Sequence, residues 1–355
     1  MIYVGGSSYK VILAPDNYWD CALHVPHYIT GTSTAASETI TLQFVDAVGG
    51  VTTETLVMPV TNGSFSYKYK DKQIYSLSDA FYGKTSVTSV AFDEDMSKCV
   101  SFYNSTTDRG SFEGCSNLVS VSFPNDATLD SVVTMRQAFK DCSSLTSFDF
   151  ILNRSLAGLT DATSLFQNCT SIASGYPTSL LPSLEHADYM LAGCTGMTNE
   201  IAIEAVLDNL ITADSMFRGC SGMTNAFIFP NATFENLESC SGMFLGCSRV
   251  LSIYLESANM CSIVGTSASD MFYECNSLVD LALPPVSLGY YFSGTSLNLA
   301  KTSLDASYYL TSSDGNLFDW LGVQGGSLKI SSSIGFQQYS NIRSRFSQKN
   351  WTVSH

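Results

Sequence analysis

Residues 216–229 read MFRGCSGMTNAFIF, residues 243–255 MFLGCSRVLSIYL and residues 271–283 MFYECNSLVDLAL. The three segments share one frame: an aromatic anchor (Phe217, Phe244, Phe272), a cysteine three residues later and an apolar residue three beyond that. The frame recurs upstream as FEGCSNL, FKDCSSL, FQNCTSI and LAGCTGM. Cysteines therefore stand at 115, 142, 169, 194, 220, 247 and 275, with gaps of 27, 27, 25, 26, 27 and 28 residues. An earlier copy, FYGKTSV at 81–87, has Lys84 in place of the cysteine, and a shortened copy, FSGTSL, follows at 292–297. Self-similarity at such a period marks a repeat architecture, because a unit this small cannot bury its apolar face alone and has to stack on neighbours.

The flanks give each unit a local structure. Five residues before the anchors stand Ser76, Thr107, Thr134, Asp161, His186, Thr212, Ser239 and Ser267. All but His186 are types whose side-chain oxygen caps a helix N-terminus. Glycine two after the anchor, at 83, 114, 193, 219 and 246, suits a left-handed C-cap. The frame thus predicts a capped turn or two of helix carrying the anchor inward. The segments VTSVAF, LVSVSF, LTSFDF, VLSIYL and LVDLAL alternate with period two, which predicts strands with one buried face. Val90/Phe92, Val121/Phe123, Phe148/Phe150, Ile253/Leu255 and Leu281/Leu283 point in. MTNEIAI and MTNAFIF need one extra residue to keep Ile201/Ile203 and Phe227/Phe229 inside, which predicts a bulge or altered turn. One strand and one helical segment per coil predict an α/β solenoid with a parallel sheet. At ~4.8 Å per strand, the coils would build a sheet about 40 Å long.

The frame, close to MFxxCxxLxxLxL, resembles that of BspA-like leucine-rich repeats of bacterial surface and phage-encoded repeat proteins, over about three-fifths of the chain. The resemblance implies a right-handed leucine-rich-repeat-like coil and a binding role through its sheet face and adjoining loops. The expected organisation has three parts. Residues 1–75 form a small antiparallel β domain, a possible attachment unit, with strands ETITLQFVDA, VTTETLVMPV and GSFSYKYKD joined at Gly49-Gly50 and Asn62-Gly63. Residues 76–299 form the solenoid. Residues 300–355 form a C-terminal α/β cap, in which SLKIS and WTVSH read as strands and FQQYSNIRSRFSQKN as an amphipathic helix.

With 45% hydrophobic and 14% charged residues, the 355-residue composition excludes disorder. Seventeen basic residues against 32 acidic ones leave a net charge of −15 and no basic face, so nucleic acid is not an expected partner. No apolar run approaches the ~20 residues of a membrane span, so membrane insertion is not expected, and no segment reads as a signal peptide. Eleven cysteines, an odd number, are expected as buried reduced thiols. Zinc ligands come in pairs two to four residues apart, and disulfides need Cβ atoms closer than stacked strands place them.

Cys21-x-x-His24-x-x-His27 is a local cluster of ligand types, but a strand would turn His24 away from Cys21 and His27. Pro26 opposes a helix there, and no fourth ligand is evident; no metal and no cofactor are expected. His186 with Asp188 lacks a third partner for catalysis. No G-x-S-x-G elbow, H-E-x-x-H or phosphate loop occurs, so no enzyme is expected. The possible binding face is the outward row of strand positions, Ser120, Ser122, Ser147, Asp149, Ser252, Tyr254 and Asp280. That row is poor in the Trp, Tyr and Arg anchors that dominate interfaces. The expected function is a non-enzymatic binding or structural protein of a phage particle, a tail fibre, head fibre or receptor-binding adhesin. Its partners would be a host cell-surface protein or glycan, or neighbouring virion proteins. A bacterial cell-surface adhesin is the alternative. The absence of a visible export signal, the free-looking cysteines and the β unit favour the virion. A fibre would favour a homotrimer, though no heptad seam supports one.

Overall fold

A computed structural model describes residues 26–147, 154–173, 181–198, 207–228, 234–255 and 270–278, with shorter pieces at 3–4, 7–8, 201–202, 268, 280–282, 303–306, 327–330, 340, 343–344, 347 and 352–354. Near the N-terminus, β1 (Tyr3–Val4) and β2 (Ser7–Ser8) pair as a short hairpin. Six longer strands follow: β3 (His27–Ser33), β4 (Ser37–Asp46), β5 (Val51–Pro59), β6 (Ser64–Tyr69), β7 (Lys72–Ser76) and β8 (Val87–Phe92). Period-two alternation is clearest in β4. In β4, Ile40, Leu42 and Phe44 are buried while Thr39 and Thr41 are exposed. β4 and β5 pair antiparallel from Ser37↔Pro59 to Val45↔Val51, across the turn at Gly49-Gly50. At the second turn, Asn62 and Gly63 both have positive φ (52° and 77°), the geometry that an Asn-Gly hairpin turn requires. The strands beside that turn nevertheless part: β5 stays with β4, while β6 pairs with β3. β3 passes so close to β8 that a Cβ at Gly31 would lie 2.2 Å from the carbonyl oxygen of Ser89.

Two sheets result, and both run into the repeats. In one, the order is β5-β4-β7, and Ser76 at the end of β7 bridges in parallel to Ser101. From there the ladder runs Ser101, Thr134, Asp161, His186, Thr212, Ser239. The other sheet has the order β11-β8-β3-β6, with β11 (Ser120–Ser122) parallel to β8. One continuous apolar core extends from Ile29 and Phe44 to Phe272 and Leu278. At the join, Glu94 is buried and accepts hydrogen bonds from the Tyr69 hydroxyl (2.7 Å) and the Ile74 N–H (2.8 Å). Burial pushes its carboxyl up to about 7, although those two hydrogen bonds and the nearby His27 pull the other way.

The expected helical segments are corrected: they are chains of tight turns. Positive φ occurs two residues before the anchor in seven coils, as at Asp79, Gln137 and Ser215. It also occurs two after the anchor in all eight, at Gly83, Gly114, Asp141, Asn168, Gly193, Gly219, Gly246 and Glu274. A left-handed residue on either side of the anchor stops any α-helical run. Backbone N–H groups then alternate in destination. Tyr82 and Lys84 donate within the coil, to Asp79 and Phe81, whereas Phe81 and Gly83 donate to Ser111 and Glu113 of the next coil. The repeat region is therefore built of strands and turns instead of α/β units, and helix among the described residues is confined to positions 340, 343, 344 and 347.

Inside the coils, anchors stack ring on ring: Phe81–Phe112 at 4.9 Å, Phe112–Phe139 at 5.0 Å and Phe139–Phe166 at 5.5 Å. Leu191 interrupts the column, which resumes with Phe217–Phe244 (5.6 Å) and Phe244–Phe272 (5.9 Å). The nine cysteines among the described residues are buried and free, and those that follow the anchors also make bonds. Cys115 donates its thiol to the Phe81 carbonyl (2.9 Å) and Cys142 to that of Phe112 (3.1 Å). The pattern repeats down to Cys275 and Phe244 (3.1 Å).

A second ladder, wholly parallel, orders β12 (Ile201–Ala202), β13 (Ala226–Ile228), β14 (Ser252–Tyr254), β15 (Asp280–Ala282), β16 (Ser303–Ala306), β17 (Ser327–Ile330) and β18 (Thr352–Ser354). The extra residue expected in MTNAFIF is absorbed in the turn at Thr224 and Asn225, so that Phe227 pairs with Ile253 and stays buried. SLKIS and WTVSH, expected inside a separate cap, supply the last two rungs of this same ladder. The segments at 148–150, 174–180 and 292–297 lie outside the described residues.

Candidate binding surface

Ser120 and Ser122 are exposed on β11, opposite Ser89 and Ala91 of β8. The row does not end there. Ser89 faces Thr32 of β3, which faces Ser64 of β6; Ala91 faces Thr30, which faces Ser66. Two parallel rows of small side chains thus cross from the repeats into the N-terminal strands. Thr32 Oγ1 lies 2.6 Å from Thr88 Oγ1 and 2.7 Å from Ser89 Oγ. Tyr28 and Lys68 flank the rows, with the ammonium 5.8 Å from the ring centre. Ser147 is half-buried at the end of a described stretch, and Asp149 lies outside the described residues. Ser252 and Tyr254 are half-buried on β14, and Ser252 pairs with Asp280 of β15 through the backbone. Five of the seven expected positions therefore share rows with a neighbour in one of two sheets, and Tyr254 is the one large side chain among them.

A richer surface lies on the other side of the first coils, where sequence reasoning misplaced a residue. The ladder position assigned to Thr107 belongs to Ser101. Between Phe102 and Ser111, residues 103–110 stand where other coils have two residues, and they fold back as a hairpin of β9 (Tyr103–Asn104) and β10 (Arg109–Gly110). Ser111 closes the loop by donating its N–H to Phe102 (2.8 Å). Thr107 sits in the hairpin and donates to Asp79 Oδ2 (3.1 Å), as does the Asn104 amide (3.1 Å). Arginines and tyrosines meet at the hairpin: Arg109 lies 4.2 Å from the centre of the Tyr82 ring, and Arg136 of the next coil 5.7 Å from that of Tyr103. Tyr103 donates to Asp108 (2.7 Å), which also faces Arg136 at 3.9 Å. Arg109 is exposed, Tyr82 is 40% exposed, and among the described residues no carboxylate pairs with Arg109. An exposed guanidinium held over a ring is a preformed contact for a carboxylate or carbonyl. The missed signal was a spacing: anchors Phe81 and Phe112 are 31 residues apart, against 25 to 28 elsewhere.

Of the remaining sequence candidates, His186, Asp188 and His27 lie within the described residues. His186 is a rung of the ladder, its Nδ1 3.1 Å from Thr212 Oγ1, and Thr212 in turn donates to Asp188 Oδ2 (2.8 Å). Asp188 also accepts from the Asp214 N–H (2.7 Å), and burial raises its carboxyl. His27 lies 3.6 Å from Asp93 and packs against Tyr69, while Cys21 and His24 lie outside the described residues. Among the described residues no group of three His, Cys, Asp or Glu is arranged to hold a metal, and no helix is long and apolar enough to cross a membrane. An open groove of about 290 Å³ along the ladder is lined by Glu185, Asn209, Ile211, Asn236 and Glu238. Asn209 and Asn236 at its rim donate to the carbonyls of Pro182 and Asp208.

Stacked coils with extended faces and an Arg/Tyr patch define a protein-binding repeat protein. Residues 72–221 match, in six copies, the family model described as the BspA type leucine-rich repeat region. The coils beyond residue 221 continue with the same bonds, Phe217 donating to Met243 and Phe244 to Met271. No curated protein and no solved structure matches the chain.

Proposed function

We propose that this protein is a non-enzymatic binding component of a phage particle, a tail or head fibre or receptor-binding adhesin. It recognises a host surface protein or glycan, or a neighbouring virion protein. In this reading the repeats form a right-handed solenoid, residues 1–75 serve attachment, and residues 300–355 close the far end as a cap. Contact is made by the Tyr82/Arg109/Tyr103/Arg136 patch and by the hydroxyl rows through Ser120 and Ser122.

The column of reduced thiols carries the reading. Nine cysteines among the described residues are buried and free, and burial pushes Cys115, Cys220 and Cys275 up to about 12, so they stay protonated at neutral pH. Once the core has closed they are inert, but before it closes they are open to oxidation. A chain that folds in a reducing cytosol and leaves inside a finished particle avoids that hazard, whereas an exported chain meets it during folding.

Mass spectrometry of purified virions, set against the surface fraction of uninfected host cells, tests the assignment. Enrichment in virions is expected. Detection on intact uninfected cells alone overturns it in favour of a bacterial surface adhesin.

A further inference from the structure

The two edges of the N-terminal unit are guarded differently. β6 ends the four-stranded sheet and carries exposed Lys68, with exposed Lys70 just beyond it. Lysines on an edge strand resist pairing with a further strand. β5 ends the three-stranded sheet and has no lysine, no arginine and no bulge in its register, and its one proline, Pro59, is its last residue. Along its nine residues, VTTETLVMP, the outward positions Val51, Thr53, Thr55 and Val57 are exposed. Val57 is 63% exposed, and Val48 in the adjoining turn 91%. Among the described residues, no strand pairs with the outer edge of β5.

We propose that β5 is a self-pairing edge, through which two copies of this chain join antiparallel and merge their three-stranded sheets. Charge marks β5 as the place where two copies can meet. The chain carries −15, so two copies repel over most of their surfaces. The single charge within β5 is Glu54, and Lys72 neutralises it at 2.5 Å. The strand is also self-complementary. Pairing about Thr55 keeps all nine residues opposed, sets Glu54 against Leu56 and sets Thr53 against Val57, with no like charges facing. β-branched pairs of this kind stabilise neighbouring strands, and edge N–H and C=O groups gain partners.

The test is the molar mass of the purified full chain by light scattering across a wide concentration range, for wild type, Thr55→Lys, Thr55→Glu and their equimolar mixture. Wild type is expected at twice the chain mass. Each variant alone is expected as a monomer, because the register sets residue 55 against its own copy, and the mixture should return to the dimer. Thr55 is exposed, so thermal melting matching wild type verifies folding, and Val57→Lys provides a second edge block. A monomeric wild type overturns the proposal, as does an assembly that the lysines leave intact or a mixture that stays monomeric. A wild-type monomer would point instead to pairing of β5 with a segment of its own chain or with a different protein.

Discussion

The N-terminal strands and the coils that follow share one core but are held together in different ways. In residues 27–92 long strands pair over as many as nine positions, and in β4 side chains alternate between core and water. In the coils the paired strands are only two or three residues long up to β15. Cohesion there comes from turn backbone that donates into the next coil and from columns of equivalent side chains: stacked phenylalanines, thiols on carbonyls, hydroxyls on ladder rungs. A β unit of the first kind specifies each residue once. A stack specifies a column, and each member supports its neighbours on both sides.

That contrast can be broken or sharpened by substitution. The largest effect is expected at Phe217, fully buried between Leu191 and Phe244. Phe217→Ala should cost ~3–5 kcal/mol in denaturant unfolding through the cavity it leaves, and an unchanged melt would contradict the column. Next comes the join. The Glu94 carboxyl is raised above its ordinary value to about 7 in the fold, so its contribution to stability is fully present below about 4.5 and is lost as pH rises through about 7. The loss is roughly 3 kcal/mol at most. Glu94→Gln should flatten that part of the pH profile relative to wild type; parallel profiles would refute the assignment. Gly246→Ala forces a Cβ into left-handed φ (76°) and should cost about 1–2 kcal/mol, seen first as faster amide exchange in the flanking coils. Cys142→Ala removes one thiol bond and a small buried volume, for about 1 kcal/mol, while Cys142→Ser, which keeps a donor toward Phe112, should cost less than alanine. The smallest stability effect belongs to Arg109→Ala, within about 0.5 kcal/mol, yet it should reduce capture of purified virions or host cells by the immobilised protein. Unaltered capture would remove the hairpin from the binding surface.

Much of the stack is legible in the amino-acid sequence, because columns are written there as spacings. The cysteine period locates the coils, and the glycines at 83, 114, 193, 219 and 246 disclose a left-handed position. Asp141, Asn168 and Glu274 occupy the same conformation without a glycine to announce it. The helix expectation fails for a related reason. A Ser, Thr or Asp before an apolar turn looks like a helix cap, but here the same oxygens close two-residue turns, as Asp161 does on the Thr163 N–H (2.9 Å). Only the left-handed residue two before the anchor separates the two outcomes, and that position varies among Asp, Gln, Ser, Tyr and Gly. The binding patch is hidden from a count taken between cysteines, because the first coil has lysine at that place. The N-terminal strands are legible by alternation, but their division between two sheets depends on the close passage of β3, which a pattern of apolar residues does not encode.

The bonds just after the anchors share one direction, whereas those entering the ladder run the other way, as Val133 to Val100, Thr160 to Val133 and Glu238 to Ile211. Gly83 donates to Glu113, Gly114 to Lys140, Asp141 to Gln167, Asn168 to Ala192, Gly193 to Arg218, Gly219 to Leu245 and Gly246 to Tyr273, always from the earlier coil to the later. Peptide dipoles lined up in this way add, as they do along a helix axis, but here they point across successive coils. Each column of bonds therefore has its own polarity, and a duplicated coil can join both columns only in the orientation of its parent.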